Sequence, residues 1–149
     1  MRLLITGGAG FIGSNLADKA LEAGWKVAVL DDLSSGRRDN VPGAAEFFQV
    51  DIQDAAAVEK AFAAFKPTAV SHQAAQASVA ISVREPQKDA SINIIGSINV
   101  MQAGVNHKIG HLVFASTGGA IYGEVPEGIR ASVSTIPLPL SPYACSKFA

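Results

Sequence analysis

A doubly wound α/β fold, with a parallel sheet covered by helices on both faces, is predicted for this chain of 149 residues. Short apolar runs alternate with longer segments whose apolar residues recur at helical spacing. This alternation is typical of strand–helix–strand units with right-handed crossovers, which build parallel sheets. Five apolar runs predict five strands. We expect the sheet to be incomplete on its C-terminal side.

The predicted strands are five short, mainly apolar runs, and the first is continuously apolar, as is typical of a strand buried on both faces. They span residues 3–5, 27–30, 47–50, 68–72 and 111–115. In a parallel sheet the carboxyl ends of the strands lie along one edge, where ligands bind. The residues predicted for that edge are Thr6, Asp31, Asp51, His72 and Ser116.

Helices are predicted between the strands. The first follows the first strand and ends at Ala23 and Gly24. Asp54 is predicted to cap the second helix, and Pro67 to end it.

A long helix is predicted over residues 86–108, opened by Pro86. Its apolar residues surround much of its circumference, so we expect one side to cover the sheet and the other to form a homodimer. The chain ends in the start of a further helix, and so short a helix is marginal when isolated. Displacement or disorder of Tyr143 and Lys147 is therefore expected.

Three glycines, Gly7, Gly10 and Gly13, follow the first strand at a fixed pitch. Because glycine lacks a Cβ, a pyrophosphate can approach the backbone, and the first turn of the next helix attracts the anion. Gly8, Gly10 and Gly13 also satisfy the tighter Gly-x-Gly-x-x-Gly spacing. A strand before the motif and a helix after it are the context it requires. The motif predicts a Rossmann-type dinucleotide-binding domain over residues 1–149.

The choice of dinucleotide depends on Asp31, which ends the second strand roughly 20 residues after the motif. A carboxylate suits the free hydroxyls of an adenine ribose and repels a 2′-phosphate, so NAD is predicted as the cofactor. Arg37 and Arg38 could instead bind the 2′-phosphate of NADP. We interpret this pair as solvated.

Composition and charge exclude several classes of function. The net charge of -1 gives no electrostatic basis for nucleic-acid or membrane binding, and no run reaches the roughly 18 apolar residues of a membrane helix. A lone cysteine, Cys145, excludes an internal disulfide and a Cys-based metal cluster, and no metal site is expected. We interpret Cys145 as a packing residue in a cytoplasmic protein, and His72 as a residue that orders a strand end.

A second group of candidate functional residues lies towards the end of the chain. Tyr143 and Lys147 are four residues apart and would share one face of a helix. An ammonium near a phenol favours the phenolate, which can take a proton at neutral pH. Ser116 or Thr117 could supply a hydroxyl partner. Together these groups could move a proton to or from a sugar or alcohol hydroxyl.

These residues resemble the extended short-chain dehydrogenases/reductases, the NAD-dependent epimerases and dehydratases, and most closely the UDP-glucose 4-epimerase group among them. The matching stretches stand in the family's order, at 6–13, 31–36, 51–52, 72–75, 116–123 and 141–147. The resemblance implies interconversion of UDP-glucose and UDP-galactose through a 4-keto sugar, with NAD taking and returning the C4 hydride.

The resemblance also implies residue roles. Tyr143 is implied as the base and Lys147 as the cation that favours the phenolate and binds the nicotinamide ribose. Thr117 or Ser116 is implied as the bridging hydroxyl, and we favour Thr117. Cofactor contacts are implied for Tyr143, Lys147 and a larger set, namely Gly7, Gly10, Phe11, Ile12, Gly13, Asp31, Asp32, Ser35, Gly36, Asp51, Ile52, Gln73, Ala74, Ala75 and Asn93.

Two departures refine the resemblance. Dehydratases of the family place an acid shortly after the catalytic threonine, whereas Gly118 and Gly119 follow Thr117, which favours epimerisation. Asp32 stands where the family commonly has asparagine. Because such enzymes are roughly twice as long, we expect the substrate domain to be absent and this chain alone to be inactive or weak. A non-catalytic NAD-binding module, or another nucleotide-sugar epimerase, dehydratase or reductase, remains the alternative.

Overall fold

The computed structural model describes residues 1–149 and contains one parallel sheet of five strands in the order β3-β2-β1-β4-β5. The strands are β1 (Arg2–Thr6), β2 (Lys26–Asp31), β3 (Glu46–Gln49), β4 (Ala69–His72) and β5 (His111–Phe114). The predicted five-stranded sheet is confirmed. Its order changes direction at β1, which is the topological switch point where ligands bind in doubly wound sheets.

The helices are α1 (Phe11–Glu22), α2 (Ala55–Phe65), α3 (Val79–Arg84), α4 (Pro86–Ala90), α5 (Ser97–Asn106) and α6 (Pro142–Phe148). Helix α3 was not predicted. The long helix predicted over 86–108 contains a π-helical segment, Ser91–Gly96, between α4 and α5. None of these helices is long and apolar enough to cross a bilayer.

The chain forms two compact units. The sheet unit comprises Met1–Ala75 and Gly96–Ala115 and contains all five strands with α1, α2 and α5. The helical unit comprises Gln76–Ile95 and Ser116–Ala149 and contains α3, α4 and α6.

Side chains alternate along the strands, so each face of the sheet presents apolar side chains, and helices cover both faces. Ile5 and Val29 belong to a core cluster that also contains Ala17 of α1. Leu4 lies on the opposite face and is buried, as is Phe62 of α2. Helix α2 packs against α5, and α5 packs against β4. The predicted doubly wound arrangement is confirmed.

Local signals determine where α2 begins and ends. The carboxylate of Asp54 accepts a hydrogen bond from the amide of Ala57 at 3.0 Å and caps the helix. At the other end Lys66 adopts a left-handed conformation with φ 52°, directly before Pro67. Both predicted boundaries are confirmed.

The helical unit consists of α3, α4 and α6, which pack against one another. Helix α6 has only seven residues, yet it is helical because Ser141 caps it, accepting from the amide of Ala144 at 3.1 Å, and because its inner face is buried. That inner face contains Ala144, Ser146 and Lys147. The expected displacement is therefore wrong. The interpretation of Cys145 as a packing residue is also wrong, since this helix turns it outward.

Candidate functional site

The glycine loop joins β1 to α1 and has no room for a Cβ at Gly7, Gly8 or Gly13. Gly7 has φ +67°, and a Cβ placed there would lie 2.6 Å from the backbone nitrogen of Ala74. A Cβ on Gly13 would overlap the carbonyl oxygen of Gly7. The amide of Gly10 donates to that same oxygen at 3.2 Å, which closes the turn. The loop therefore presents backbone at the carboxyl end of β1.

The first turn of α1 is open to an anion. Gly10 is the N-cap and provides no side-chain cap, and the first turn contains no acidic residue. The side chains of Phe11 and Ile12 are 85% and 65% exposed. The unpaired amides of a helix start attract negative charge, and here no side chain of the helix satisfies them.

Asp31 connects the end of β2 to the glycine loop. Its side chain is buried, and its two oxygens accept hydrogen bonds from the amides of Ala9, at 2.9 Å, and Leu33, at 2.8 Å. Each carboxylate oxygen retains a second lone pair for a ligand hydroxyl. The buried negative charge suits the free hydroxyls of an adenine ribose and would repel a 2′-phosphate.

The loop after β2 is shaped by its own polar groups. Asp32 is exposed and accepts from the amide and hydroxyl of Ser34, at 2.9 and 2.7 Å. Ser35 is also exposed. The carboxylate of Asp32 therefore forms the turn, and its predicted cofactor contact stays a prediction.

Ala9 connects the loop after β2 to the glycine loop through hydrogen bonds. Its carbonyl accepts from the amide of Arg37 at 3.1 Å and from the side chain of Asn40 at 2.9 Å. Gly36 approaches so closely that a Cβ there would lie 2.8 Å from that of Ala9. Asn40 was not singled out from the sequence, because nothing local indicates a partner 31 positions away.

The arginine pair has structural surroundings of its own. Arg38 lies over the ring of Phe47, with its guanidinium carbon 4.6 Å from the ring centre. Arg37 is exposed. The interpretation of the pair as solvated surface residues agrees with this arrangement, with a cation–π contact added.

His72 orders the ends of β1 and β4, as predicted. It is buried and lies between two hydroxyls, with Nδ1 2.6 Å from Thr6 Oγ1 and Nε2 2.9 Å from Ser97 Oγ. Thr6 Oγ1 also accepts from the amide of Ala74 at 3.2 Å. The segment after β4, which contains Gln73, Ala74 and Ala75, is thereby held close to Gly7.

Asp51 and Ile52 follow β3 and differ in exposure. Asp51 is exposed and accepts from the amide of Gln53 at 2.9 Å. Ile52 is buried against Gly96, where a Cβ would lie 2.6 Å from its Cδ1, and its carbonyl accepts from Asn99 at 2.9 Å. The place of these residues beside an adenine stays a prediction.

The catalytic candidates lie in the helical unit. Lys147 is 6% exposed, and Tyr143 is half-buried on the same helix. Burial lowers the pKa of Lys147 from its ordinary value, and the negative charge of Asp89 partly opposes this change. The hydroxyl of Ser116 donates to the carbonyl of Lys147 at 3.4 Å. The structure thus brings Ser116 to the last turn of α6.

Asn93 is 2% exposed and is bonded within the helical unit. Its side-chain nitrogen lies 2.9 Å from the carbonyl of Gln76, 3.1 Å from Ser146 Oγ and 3.2 Å from Asp89 Oδ1. Its oxygen accepts from the amide of Gln76 at 2.9 Å. Both ends of the amide are engaged, and its predicted cofactor contact stays a prediction.

Sequence reasoning missed Asp89 and Ser146. Asp89 precedes Asn93 by four positions, a spacing that places both on one face of a helix. That spacing is the signal that could have found Asp89. No comparable signal marks Ser146, whose partner Asn93 is 53 positions away.

Known proteins are similar in sequence to this chain along nearly its whole length. Residues 3–149 match the sequence model of the NAD dependent epimerase/dehydratase family. A putative UDP-glucose 4-epimerase of Methanocaldococcus jannaschii is 44% identical, over 98% of this chain and 47% of the relative. The UDP-glucose 4-epimerase of Mycolicibacterium smegmatis is 42% identical, over 100% of this chain and 49% of the relative.

Solved structures share the fold. UDP-glucose 4-epimerase of Thermus thermophilus, in complex with NAD, matches with a TM-score of 0.97 and 56% identity, over 99% of this chain and 47% of that one. The Thermotoga maritima enzyme, with UDP-glucose, matches with a TM-score of 0.96 and 47% identity. The match covers 99% of this chain and 48% of that one. The chain spans about half the length of these relatives. It belongs to the NAD-dependent epimerase/dehydratase family.

Proposed function

We propose that this chain is the NAD-binding half of a UDP-glucose 4-epimerase. The observation that carries the proposal is the bare backbone of the glycine loop, at Gly7 and Gly13, in front of an uncapped helix start. The NAD-bound Thermus thermophilus structure supports it. When bound, NAD would supply a nicotinamide that takes a hydride from C4 of the sugar and returns it. We propose one NAD-binding domain over residues 1–149.

The residues of the sheet unit fit this cofactor. We propose that Gly7, Gly10 and Gly13, with the amides of Phe11 and Ile12, hold the pyrophosphate, because backbone donors and a helix start favour an anion. Asp31 accepts from the adenine ribose. Further contacts in the sheet unit are proposed at Asp32, Ser35, Gly36, Asp51, Ile52, Gln73, Ala74 and Ala75. In the helical unit a cofactor contact is proposed at Asn93.

Tyr143 and Lys147 are proposed to move the proton. Tyr143, as phenolate, takes the proton of the C4 hydroxyl while that carbon is oxidised, and returns it when the carbonyl is reduced. The Lys147 ammonium favours the phenolate and holds the nicotinamide ribose. Its burial strengthens this effect, because a buried charge is poorly screened.

Thr117 is proposed as the hydroxyl that bridges Tyr143 and the substrate. The hydroxyl of Ser116 donates to a backbone carbonyl, whereas that of Thr117 makes no hydrogen bond within the chain. Thr117 therefore retains its donor and its acceptor for a ligand.

The substrate class follows from the relatives and from the loop after Thr117. The Mycolicibacterium smegmatis relative is a UDP-glucose 4-epimerase by name, and the Thermotoga maritima structure contains UDP-glucose. Gly118 and Gly119 provide no carboxylate for elimination. We propose interconversion of UDP-glucose and UDP-galactose, in galactose metabolism and in the cytoplasm. The 149-residue chain alone would be inactive or weak.

Calorimetric titration of the chain with NAD tests the cofactor half, and we expect one bound NAD. The reaction is tested by a chimera in which the chain replaces the matching half of the Thermus thermophilus enzyme. We expect the chimera to convert UDP-galactose, and Tyr143→Phe to lower its kcat by about 10²–10⁴-fold. A folded chimera that binds NAD without converting the sugar would instead indicate a non-catalytic module.

We also propose a homodimer through the long helix. Ile98, Met101 and Val105 lie three and four positions apart on α5 and are exposed, whereas Val100 and Ala103 are buried. An exposed apolar stripe of this kind can pair with the same stripe of a second copy about a two-fold axis. Light scattering should show a dimer that Val105→Lys converts to a monomer. A wild-type monomer at high concentration would contradict this proposal.

A further inference from the structure

A buried carboxylate lies in the helical unit, outside the set of residues predicted from the sequence. Asp89 on α4 is 0% exposed. Its Oδ1 accepts from Gln76 Nε2 at 2.8 Å and lies 3.2 Å from Asn93 Nδ2, whereas its Oδ2 has no hydrogen-bond partner. A buried charge with an unsatisfied oxygen is unfavourable unless another group compensates it. Hydrogen bonds alone therefore do not compensate the burial of the Asp89 carboxylate.

Lys147 is the buried cation of the same unit, and its charge is opposite to that of Asp89. Helices α4 and α6 pack against each other, and Lys147 is buried on α6. The negative charge of Asp89 raises the pKa of Lys147, opposing the larger effect of burial, which lowers it. The carboxylate thus stabilises the charged lysine in surroundings that disfavour charge.

A chain of hydrogen bonds also connects Asp89 to α6. Asn93 Nδ2 lies 3.2 Å from Asp89 Oδ1 and 3.1 Å from the hydroxyl of Ser146. Ser146 in turn donates to the carbonyl of Tyr143 at 3.0 Å. The network therefore reaches the turn of α6 that separates Tyr143 from Lys147.

No other acid in this unit can take the same role. Glu85 is exposed and lies 3.4 Å from the exposed Lys88, and Glu124 and Glu127 are exposed. On α3, Arg84 is exposed. On α6 itself the other titratable groups are Tyr143, which is half-buried, and Cys145, which is exposed. Asp89 is the buried acid of the unit.

We propose that Asp89 is a positioning residue that keeps the Lys147 side chain charged and, through Asn93 and Ser146, holds α6 in place. The consequence for catalysis rests on the proposed function of Tyr143 and Lys147. The electrostatic coupling itself can be measured without any turnover. Its failure can therefore be distinguished from failure of the proposed function.

The test is an NMR titration of lysine ε-methylene groups in the 149-residue chain, with the Lys147 signal assigned by its loss in Lys147→Arg. Asp89→Asn removes the charge and keeps an oxygen that can accept from Gln76 and Asn93. We expect the Lys147 midpoint to move to lower pH in this variant. Glu85→Gln, which removes an exposed charge next to the same helix, should leave the midpoint in place.

An unchanged Lys147 midpoint in folded Asp89→Asn would overturn the proposal. A residue with a merely structural role would leave the Lys147 midpoint in place. Should Asp89→Asn not fold, Asp89→Ser keeps an oxygen acceptor in a smaller side chain, and the same shift is expected. Failure of both variants to fold would assign Asp89 a structural role and would also overturn the proposal.

Discussion

The sheet unit and the helical unit form their candidate sites from different atoms. In the sheet unit the predicted pyrophosphate site is backbone, defined by the absence of side chains at Gly7 and Gly13. In the helical unit the proposed chemistry depends on the side chains of Tyr143 and Lys147, one of them a buried charge. A backbone site needs steric room, whereas a buried side-chain charge needs other charges and hydrogen bonds in fixed positions.

Their cores differ in the same way. The sheet unit buries the large apolar side chains of Phe62 and Phe65 on α2. The helical unit buries Asp89, Asn93 and Lys147, and polar groups contribute little net free energy when buried. Because regions with few buried apolar contacts open at lower free energy, we expect the helical unit to open first.

The largest expected effect is at Gly7. Gly7→Ala would force a Cβ to 2.6 Å from the backbone nitrogen of Ala74 at φ +67°, so we expect about 2–3 kcal/mol lower stability and loss of NAD binding. Urea unfolding and calorimetry measure both. Gly43→Ala is the matched control, with nothing within 4 Å of its Cβ, and should change stability by less than about 0.5 kcal/mol. Equal behaviour of the two variants would refute the steric account of the loop.

A smaller effect is expected at Asp31. Asp31→Asn removes the charge that we assign to the adenine ribose, so NAD affinity should fall about tenfold, the equivalent of one charged hydrogen bond. The ratio of NADP to NAD affinity should rise, because a repulsion is removed. Titrations with both dinucleotides measure this. Asp39→Asn, which changes an exposed acid in the segment after β2, is the control. An unchanged ratio for Asp31→Asn would contradict the assignment.

The smallest effects are expected at the helix caps, and they compare the two units directly. Asp54→Ala and Ser141→Ala each remove one cap, worth about 1 kcal/mol. Asp54→Ala should lower the global free energy of unfolding. Ser141→Ala should instead speed amide exchange within α6 with the global value unchanged. A global loss of equal size in both variants would show that the units unfold as one.

Local signals predicted much of the fold. The strands lie within one residue of their predicted limits, because each is a short, mainly apolar run with turn residues around it. Asp54 and Pro67 defined α2 through capping and the missing amide of proline. These features depend on residues only a few positions apart.

The errors have two causes, namely local signals that are too short or ambiguous and contacts between residues far apart in the chain. The short helix α3 has six residues, too few for a clear period, and the π-helical segment Ser91–Gly96 has a helical sequence without an α-helical ladder. Asn40 reaches Ala9 from a distant loop. Cys145 was misplaced because the buried face of α6 depends on the helices that pack against it.

The sequence by itself therefore determined the sheet, the glycine loop, Asp31 and the pairing of Tyr143 with Lys147 on one helix face, since each is expressed in short spacings. Only the tertiary structure decided the charged surroundings of Lys147. Asp89 and Lys147 are 58 positions apart in the chain. Electrostatic energy depends on distance in space and on burial, and neither quantity can be obtained from the separation of two residues along a sequence.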